Sequence, residues 1–256
     1  MNYNYHTHTH WCDHATGTPE EYIHNAIQGG IEHMGFSDHT PWIFPDGYES
    51  HFRVPMAQAE NYMEELRGLR DAYQGQIQLS IGFEMEFYPL YFEKMLKTAQ
   101  NFGAEYLILG QHFLGNEHPN GHRSQRQIGN DTHLAEYVDT VVQAMKTGVF
   151  SCVAHPDTFR YGGEELTYLR QMEKICAASC QENIPLEINF LGIRENRNYP
   201  DPRFWELAGK MGCPVTFGCD AHEAASAYDG ASLEKARAMV EKYGLNYIGG
   251  STLVRP

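Results

Sequence analysis

The sequence predicts an α/β fold in which about seven strand–loop–helix units close into one barrel around a parallel sheet, as a single domain over residues 1–256. Three observations predict it. Short apolar strands, polar loops and helices alternate about seven times. No linker and no shift in composition interrupts the rhythm. Six of the seven strands also end on His, Asp or Glu, as expected where strand ends gather at one functional rim.

Met1 to Tyr5 alternates and carries two tyrosines, which suits a first strand. Thr18-Pro19-Glu20-Glu21 starts the first helix: Thr18 caps it, Pro19 fits the first helical position and Glu21 completes a capping box. Tyr22, Ile23, Ala26 and Ile27 form its apolar face, and Gly29-Gly30 stop it. Met34-Gly35-Phe36 is a second strand running into Ser37-Asp38-His39-Thr40-Pro41. The loop from Trp42 to Val54 has the length of a lid or binding wall, and a helix follows from about Pro55 to Tyr73. The third strand, Ile77 to Phe83, ends in Glu84-Met85-Glu86, and a helix runs from Leu90 to Phe102. The fourth, Tyr106 to Leu109, ends in Gly110-Gln111-His112. A polar loop from Gly115 to Asn130, with His118, His122, Arg123 and Arg126, precedes a helix from Thr132 to Lys146. The fifth strand, Ser151 to Ala154, ends in His155-Pro156-Asp157. The helix from Glu164 to Gln181 places Leu166, Leu169, Met172, Ile175 and Cys176 at helical spacing. The sixth strand, Pro185 to Ile188, ends at Asn189, and the loop Gly192 to Tyr199 holds Arg194 and Arg197. A helix from Pro202 to Met211 leads to the seventh strand, Val215 to Gly218, which ends in Cys219-Asp220-Ala221-His222. A helix from Ser232 to Tyr243 and a segment from Tyr247 to Gly249 complete the order.

A net charge of −14 argues against a nucleic-acid surface. It argues less against an anionic substrate, because bound divalent cations reverse the local field. No apolar run reaches the eighteen residues of a membrane span, and no signal peptide is visible. The six cysteines form no Cys-x-x-Cys, which suits reduced core thiols in a cytoplasmic protein, a monomer or small homo-oligomer.

His6 and His8 lie two apart on a strand, so both imidazoles aim the same way from a rigid base. Their alternation with Thr differs from the consecutive run of a purification tag. With His14, His39, Glu84, His112, His155, Asp220 and His222 they make a set of nine donors. Any one such histidine is more often a satisfied buried residue than a ligand, but the whole set at strand ends points to metal. Nine donors exceed what one zinc-like ion takes and would serve three. Imidazole and carboxylate without cysteine suit Zn, Mn or Fe rather than Ca or Mg.

His6-Thr7-His8, His14, Asp38-His39, Gly82-Phe83-Glu84, His112, His155-Pro156 and Asp220-Ala221-His222 resemble, in order, the metal motifs of the PHP (polymerase and histidinol phosphatase) superfamily. Ser37 to Pro41, Gly82 to Phe87 and Ala154 to Asp157 look most like its histidinol-phosphate phosphatase branch. The resemblance implies a distorted (β/α)7 TIM-like barrel with three divalent metal ions. It would give His6, His8, Glu84 and Asp220 to one metal, Glu84, His112 and His155 to a second, and His14, His39 and His222 to the third. Glu86 stands where the branch leads one to expect aspartate, and it is not a ligand in the pattern.

The implied reaction is hydrolysis of a small phosphate monoester, L-histidinol phosphate above all, by a metal-bridging hydroxide. Asp220, His222 or a metal-bound water would protonate the leaving group. Arg160 and Arg197, with Arg194 in reserve, are the expected phosphate-binding arginines, because a planar fork of donors matches phosphate oxygens. Asp157, Glu117, Trp42 and Phe113 are candidates to meet the rest of the substrate. Three other readings stand beside this one: a broad phosphoesterase acting on nucleotides or other esters, an amidohydrolase, and a non-catalytic metal store. An amidohydrolase typically needs one or two metals and often a strand-end lysine, and no strand here ends on lysine.

Overall fold

Strand pairing in the computed structural model, which describes residues 1–256, is parallel throughout the main sheet. One run is β1 (Tyr3–Asn4), β2 (His33–Phe36) and β3 (Gln78–Ile81), with Met34 opposite Leu79 and Phe36 opposite Ile81. The other runs in spatial order β4 (Phe83–Met85), β5 (Leu107–Leu109), β8 (Cys152–Val153), β9 (Leu186–Asn189), β10 (Pro214–Gly218) and β11 (Asn246–Tyr247). β6 (Phe113–Leu114) and β7 (His122–Arg123) form a separate antiparallel hairpin. A parallel bridge between Thr7 and Ala221, with His8 N–H donating to the Ala221 carbonyl at 2.9 Å, joins the first strand's extension to the last. The result is the distorted (β/α)7 barrel expected, with β11 added beside the foot of β10.

The third strand departs from expectation because it breaks at Gly82, and the two pieces serve different runs of the sheet. A Cβ at Gly82 would lie 2.3 Å from the Tyr106 carbonyl oxygen, so only glycine lets β5 approach here. The loop from Gly115 to Asn130 contributes β7 to the hairpin. The stretch after β9, expected as loop, opens with a short helix, α6 (Phe190–Arg194), which Asn189 caps by accepting from Gly192 N–H at 3.0 Å.

The outer helices are α1 (Pro19–Gln28), α2 (Ala59–Ala72), α3 (Phe92–Phe102), α4 (Asp131–Met145), α5 (Glu165–Glu182), α7 (Pro202–Met211) and α8 (Gly230–Tyr243). The predicted capping box is present on α1: Thr18 accepts from Glu21 N–H while the Glu21 carboxylate accepts from Thr18 N–H at 2.7 Å. On α5, Met172, Ile175 and Cys176 are buried, whereas Leu166 faces solvent in the first turn. One apolar cluster of 59 buried residues ties strands to helices, and each fully buried large side chain in it stabilises the fold by about 1.5–3 kcal/mol. No helix is long and apolar enough to cross a membrane.

Candidate metal centre

Strand geometry assembles the centre. His6 and His8 leave the first strand on one face, and their Nε2 atoms lie 3.2 Å apart. The Glu84 carboxylate sits among five rings. Its Oε2 is 3.7 Å from His6 Nε2, 3.3 Å from His8 Nε2 and 3.4 Å from His39 Nδ1, and its Oε1 is 3.4 Å from His112 Nε2 and 3.1 Å from His155 Nε2. Asp220 Oδ1 lies 3.4 Å from His6 Nε2, 3.5 Å from His8 Nε2 and 3.4 Å from His222 Nδ1. His222 Nε2 approaches His14 Nε2 at 3.0 Å. All nine predicted donors therefore form one connected cluster, drawn from seven separate places in the chain.

Donor atoms lying within 4.8 Å of one another form overlapping groups: His6, His8 and Glu84; His6, His155 and Asp220; His8, Asp220 and His222; and His39, Glu84 and His112. Cys12 also comes within that reach of His8 and His14, but its thiol donates to the Thr9 carbonyl at 3.2 Å, and burial beside Asp38 pushes its pKa well up.

The donors fit a cation. Four rings are held from behind, which fixes their orientation: His6 Nδ1 against both Glu187 oxygens at 3.0 and 2.9 Å, His112 Nδ1 on Glu86 Oε1 at 2.8 Å, His14 Nδ1 on the Cys12 carbonyl at 2.7 Å, and His222 Nδ1 on the Asp220 carbonyl at 3.2 Å. Tethering Nδ1 leaves Nε2 free for the cavity, the usual construction behind a metal-binding histidine. Burial opposes charge on Glu84, yet His112, His39 and His6 hold its carboxyl well below the ordinary range. Asp220 is likewise held well down, burial being outweighed by His6, His222 and His8. Burial and the field of His8 bring His222 down to about 3. The centre thus presents ionised carboxylates and a neutral His222, and a divalent ion would take the place of the protons that the neighbouring carboxylates favour on His6 and His112. Two of the nine, His155 (φ 32°) and Asp220 (φ 45°), occupy the left-handed region without being glycine, a strain that concentrates at functional sites. Space is also reserved: a Cβ on Gly110 would lie 1.8 Å from Glu84 Oε1, and one on Gly218 would lie 2.0 Å from Glu187 Oε2.

Above the cluster opens a cavity of about 280 Å³, lined by His8, His14, His39, Glu84, His112, Asp220 and His222 below and by Phe52, Phe113, Arg123, Gln125, Arg126, Leu191, Glu195 and Arg197 around it. Arg197 is where the sequence placed it, its guanidinium meeting Glu195 at 2.8 Å, Gln125 at 3.1 Å and Tyr199 Oη at 3.0 Å. Arg160 is exposed and does not line the cavity. Its backbone is stitched to the Ser124 carbonyl and the Gly129 amide, and those bonds fix where the residue sits. Arg194 also lies off the cavity, paired with Asp229 at 2.9 Å. Arg123 and Arg126 take the places expected of those two.

Of the residues proposed for the rest of the substrate, only Phe113 reaches the cavity. Asp157 is buried, accepting from Asp201 N–H at 2.5 Å and Trp205 Nε1–H at 2.9 Å. Glu117 is clamped by Arg53, and Trp42 packs against Tyr91 and Phe44. The sequence reading gave no role to Glu187, to Asn189 at the end of its strand, or to Glu86, which it set aside as a non-ligand. The signal for the first two was there: they alternate on one face of β9, where a buried carboxylate needs a reason.

The model of the PHP domain family matches residues 4–190. The chain belongs to the PHP domain family. It is 28% identical over 228 residues to the "Probable histidinol-phosphatase" of Deinococcus radiodurans, covering 85% of each chain. It is 24% identical to the histidinol-phosphatase of Bacillus subtilis, covering 86% of this chain and 92% of that one. The crystal structure of histidinol phosphate phosphatase from Lactococcus lactis, complexed with zinc, L-histidinol and phosphate, superposes with a TM-score of 0.75 at 20% identity, covering 99% of this chain and 97% of that one.

Proposed function

We propose that this PHP protein is a metal-dependent phosphate monoester hydrolase whose substrate is L-histidinol phosphate, converted to L-histidinol and phosphate. Three arginines, Arg123, Arg126 and Arg197, overhanging a cluster of nine metal-type donors carry this reading. The nine imidazole and carboxylate donors would hold up to three divalent ions of the Zn, Mn or Fe class. When bound, such ions neutralise phosphate charge and acidify water enough to supply a nucleophile near neutral pH.

The residues themselves do the rest. Arg123, Arg126 and Arg197 offer forked donors to phosphate oxygens. Phe52 and Phe113, stacked with centroids 6.0 Å apart, make an apolar wall, and Glu195 and Gln125 give the rim polar partners for the alcohol portion. Asp220 and His222 border the cavity, where they would help to hold the cation and are the side chains placed to pass a proton to the leaving group. A cavity near the lower limit of small-ligand pockets suits a small monoester and not a nucleic-acid strand. All six cysteines are free, which fits a reducing cytoplasm.

The test is turnover of the metal-replete protein on a panel of phosphate monoesters that includes histidinol phosphate. The expected result is highest kcat/KM for histidinol phosphate, abolished by Glu84→Gln and by Asp220→Asn with the fold intact by circular dichroism. A nucleotide or other ester preferred over histidinol phosphate favours the broad phosphoesterase. Stoichiometric metal with no turnover on any ester makes the protein a metal store.

A further inference from the structure

Behind the cavity lies a fully buried arginine that no strand-end pattern announced. Arg53 closes the long loop after β2, and its side chain has 0% exposure. Every part of its guanidinium is engaged. Nε–H donates to Glu117 Oε1 at 2.8 Å, Nη1–H to the Thr40 carbonyl at 3.0 Å, and Nη2–H to both Glu86 Oε2, at 2.6 Å, and Glu117 Oε2. Each acceptor leads somewhere different. Glu86 gives its other oxygen to His112 Nδ1 at 2.8 Å. Thr40 follows His39, and Val54, next to Arg53, donates its N–H to the His39 carbonyl at 3.2 Å. Glu117, which also accepts from Ser50 at 2.6 Å and Tyr88 at 2.7 Å, sits between β6 and β7, in the segment that carries Phe113, Arg123, Gln125 and Arg126 to the cavity.

We infer that Arg53 is a positioning residue that couples the donor cluster to the arginine-bearing wall of the cavity. Through Glu86 it fixes the ring orientation of His112, and through Glu117 it sets the height of the 113–126 segment over the cluster. The electrostatics require it to serve both. Two buried carboxylates around one cation leave one negative charge in excess, and Glu86 directs that excess at the His112 N–H. Without the guanidinium, Glu86 and Glu117 would face one dry pocket with no donor between them, and His112 or the wall would lose its anchor. Lysine cannot stand in, because one ammonium lacks the fork that reaches Glu86, Glu117 and Thr40 together.

The inference rests on the metal-dependent reading of the centre, and its test is read without turnover. Zinc affinity is measured by chelator competition, and protection of residues 113–126 by hydrogen exchange, on the full chain. Glu86→Gln is expected to weaken zinc binding about 10- to 100-fold with protection of 113–126 unchanged. Glu117→Gln is expected to do the reverse, raising exchange in 113–126 while zinc affinity stays. Arg53→Gln is expected to do both, and Arg53→Lys to rescue neither in full. A folded Arg53→Gln protein with wild-type zinc affinity and wild-type protection overturns the inference. If Arg53→Gln does not fold, the two glutamate variants decide: unaltered zinc affinity in Glu86→Gln, or unaltered exchange in Glu117→Gln, overturns it as well. A wild-type chain that binds no zinc, manganese or iron instead defeats the metal-dependent reading itself, so the two failures stay distinct.

Discussion

Glu187 is a carboxylate with no route to substrate, yet it is buried at 1% exposure and faces His6 with both oxygens. Asn189 joins it to Asp220, donating to Glu187 Oε1 at 2.7 Å and to Asp220 Oδ2 at 3.0 Å. One strand thereby orients a ring from the first strand and a carboxylate from the last. Glu187→Gln removes the charge that makes His6 a better donor, and metal affinity is expected to fall about 10- to 100-fold. Chelator competition reads this directly, and an unchanged affinity would reduce Glu187 to packing. The arginines divide in the same way. Arg197→Ala removes a charged donor from the cavity rim, and KM for phosphate esters is expected to rise about 10- to 100-fold. Arg160→Ala touches an exposed side chain outside the cavity and is expected to leave KM unchanged.

At the scale of elements, glycine decides how β3 and β4 separate. Gly82→Ala places a methyl against the Tyr106 carbonyl and ring, where backbone cannot yield cheaply, and is expected to cost about 1–3 kcal/mol, visible as a lower thermal midpoint. The loop between β6 and β7 has its own pH signature. Burial would raise the pKa of Glu117, but Arg53 and the hydrogen bonds from Arg53, Ser50 and Tyr88 hold it below the ordinary 4.5. A depressed carboxyl pKa stabilises the fold above the unfolded value and loses that contribution as pH falls through the folded one. Wild-type stability is therefore expected to decline below about pH 4.5, and more steeply than that of Glu117→Gln; equal slopes in acid denaturation would detach Glu117 from the stability of the loop. Most elements were legible in the sequence because caps and periodicity are local: Thr18-Pro19 with Glu21 announces α1 on its own. The break at Gly82 and the short helix at Phe190 were not, because the first depends on Tyr106, 24 residues away, and the second on an Asn189 cap that competes with a strand-end role. Histidines at strand ends were legible for the same local reason. The loop arginines were not, since which of Arg123, Arg126 and Arg160 reaches the cavity depends on how one loop is stitched to another.

Across the whole molecule, the barrel closes where the extensions of β1 and β10 meet. The extensions of β1 and β10 touch through the Thr7–Ala221 bridge, and the donors cluster on that seam: His6 and His8 on one side, Asp220 and His222 on the other. A cation held by His6, His8 and Asp220 would clamp the seam as well as serve the chemistry, because it binds groups that only the closed barrel brings together. Ligand that binds the folded state alone stabilises it by about 2.7 kcal/mol at a hundredfold excess over Kd. For a domain of this size that is about 5–10 °C in the thermal midpoint. Chelation is expected to lower the midpoint by this amount and to raise hydrogen exchange first at residues 5–9 and 219–222, both reversing when zinc or manganese is restored. Asp220→Asn removes a charge from one side of the seam and is expected to abolish most of the metal-dependent shift. A midpoint indifferent to chelation in the wild type would mean that hydrogen bonds alone hold the seam, and that the donors serve the cavity without serving the fold.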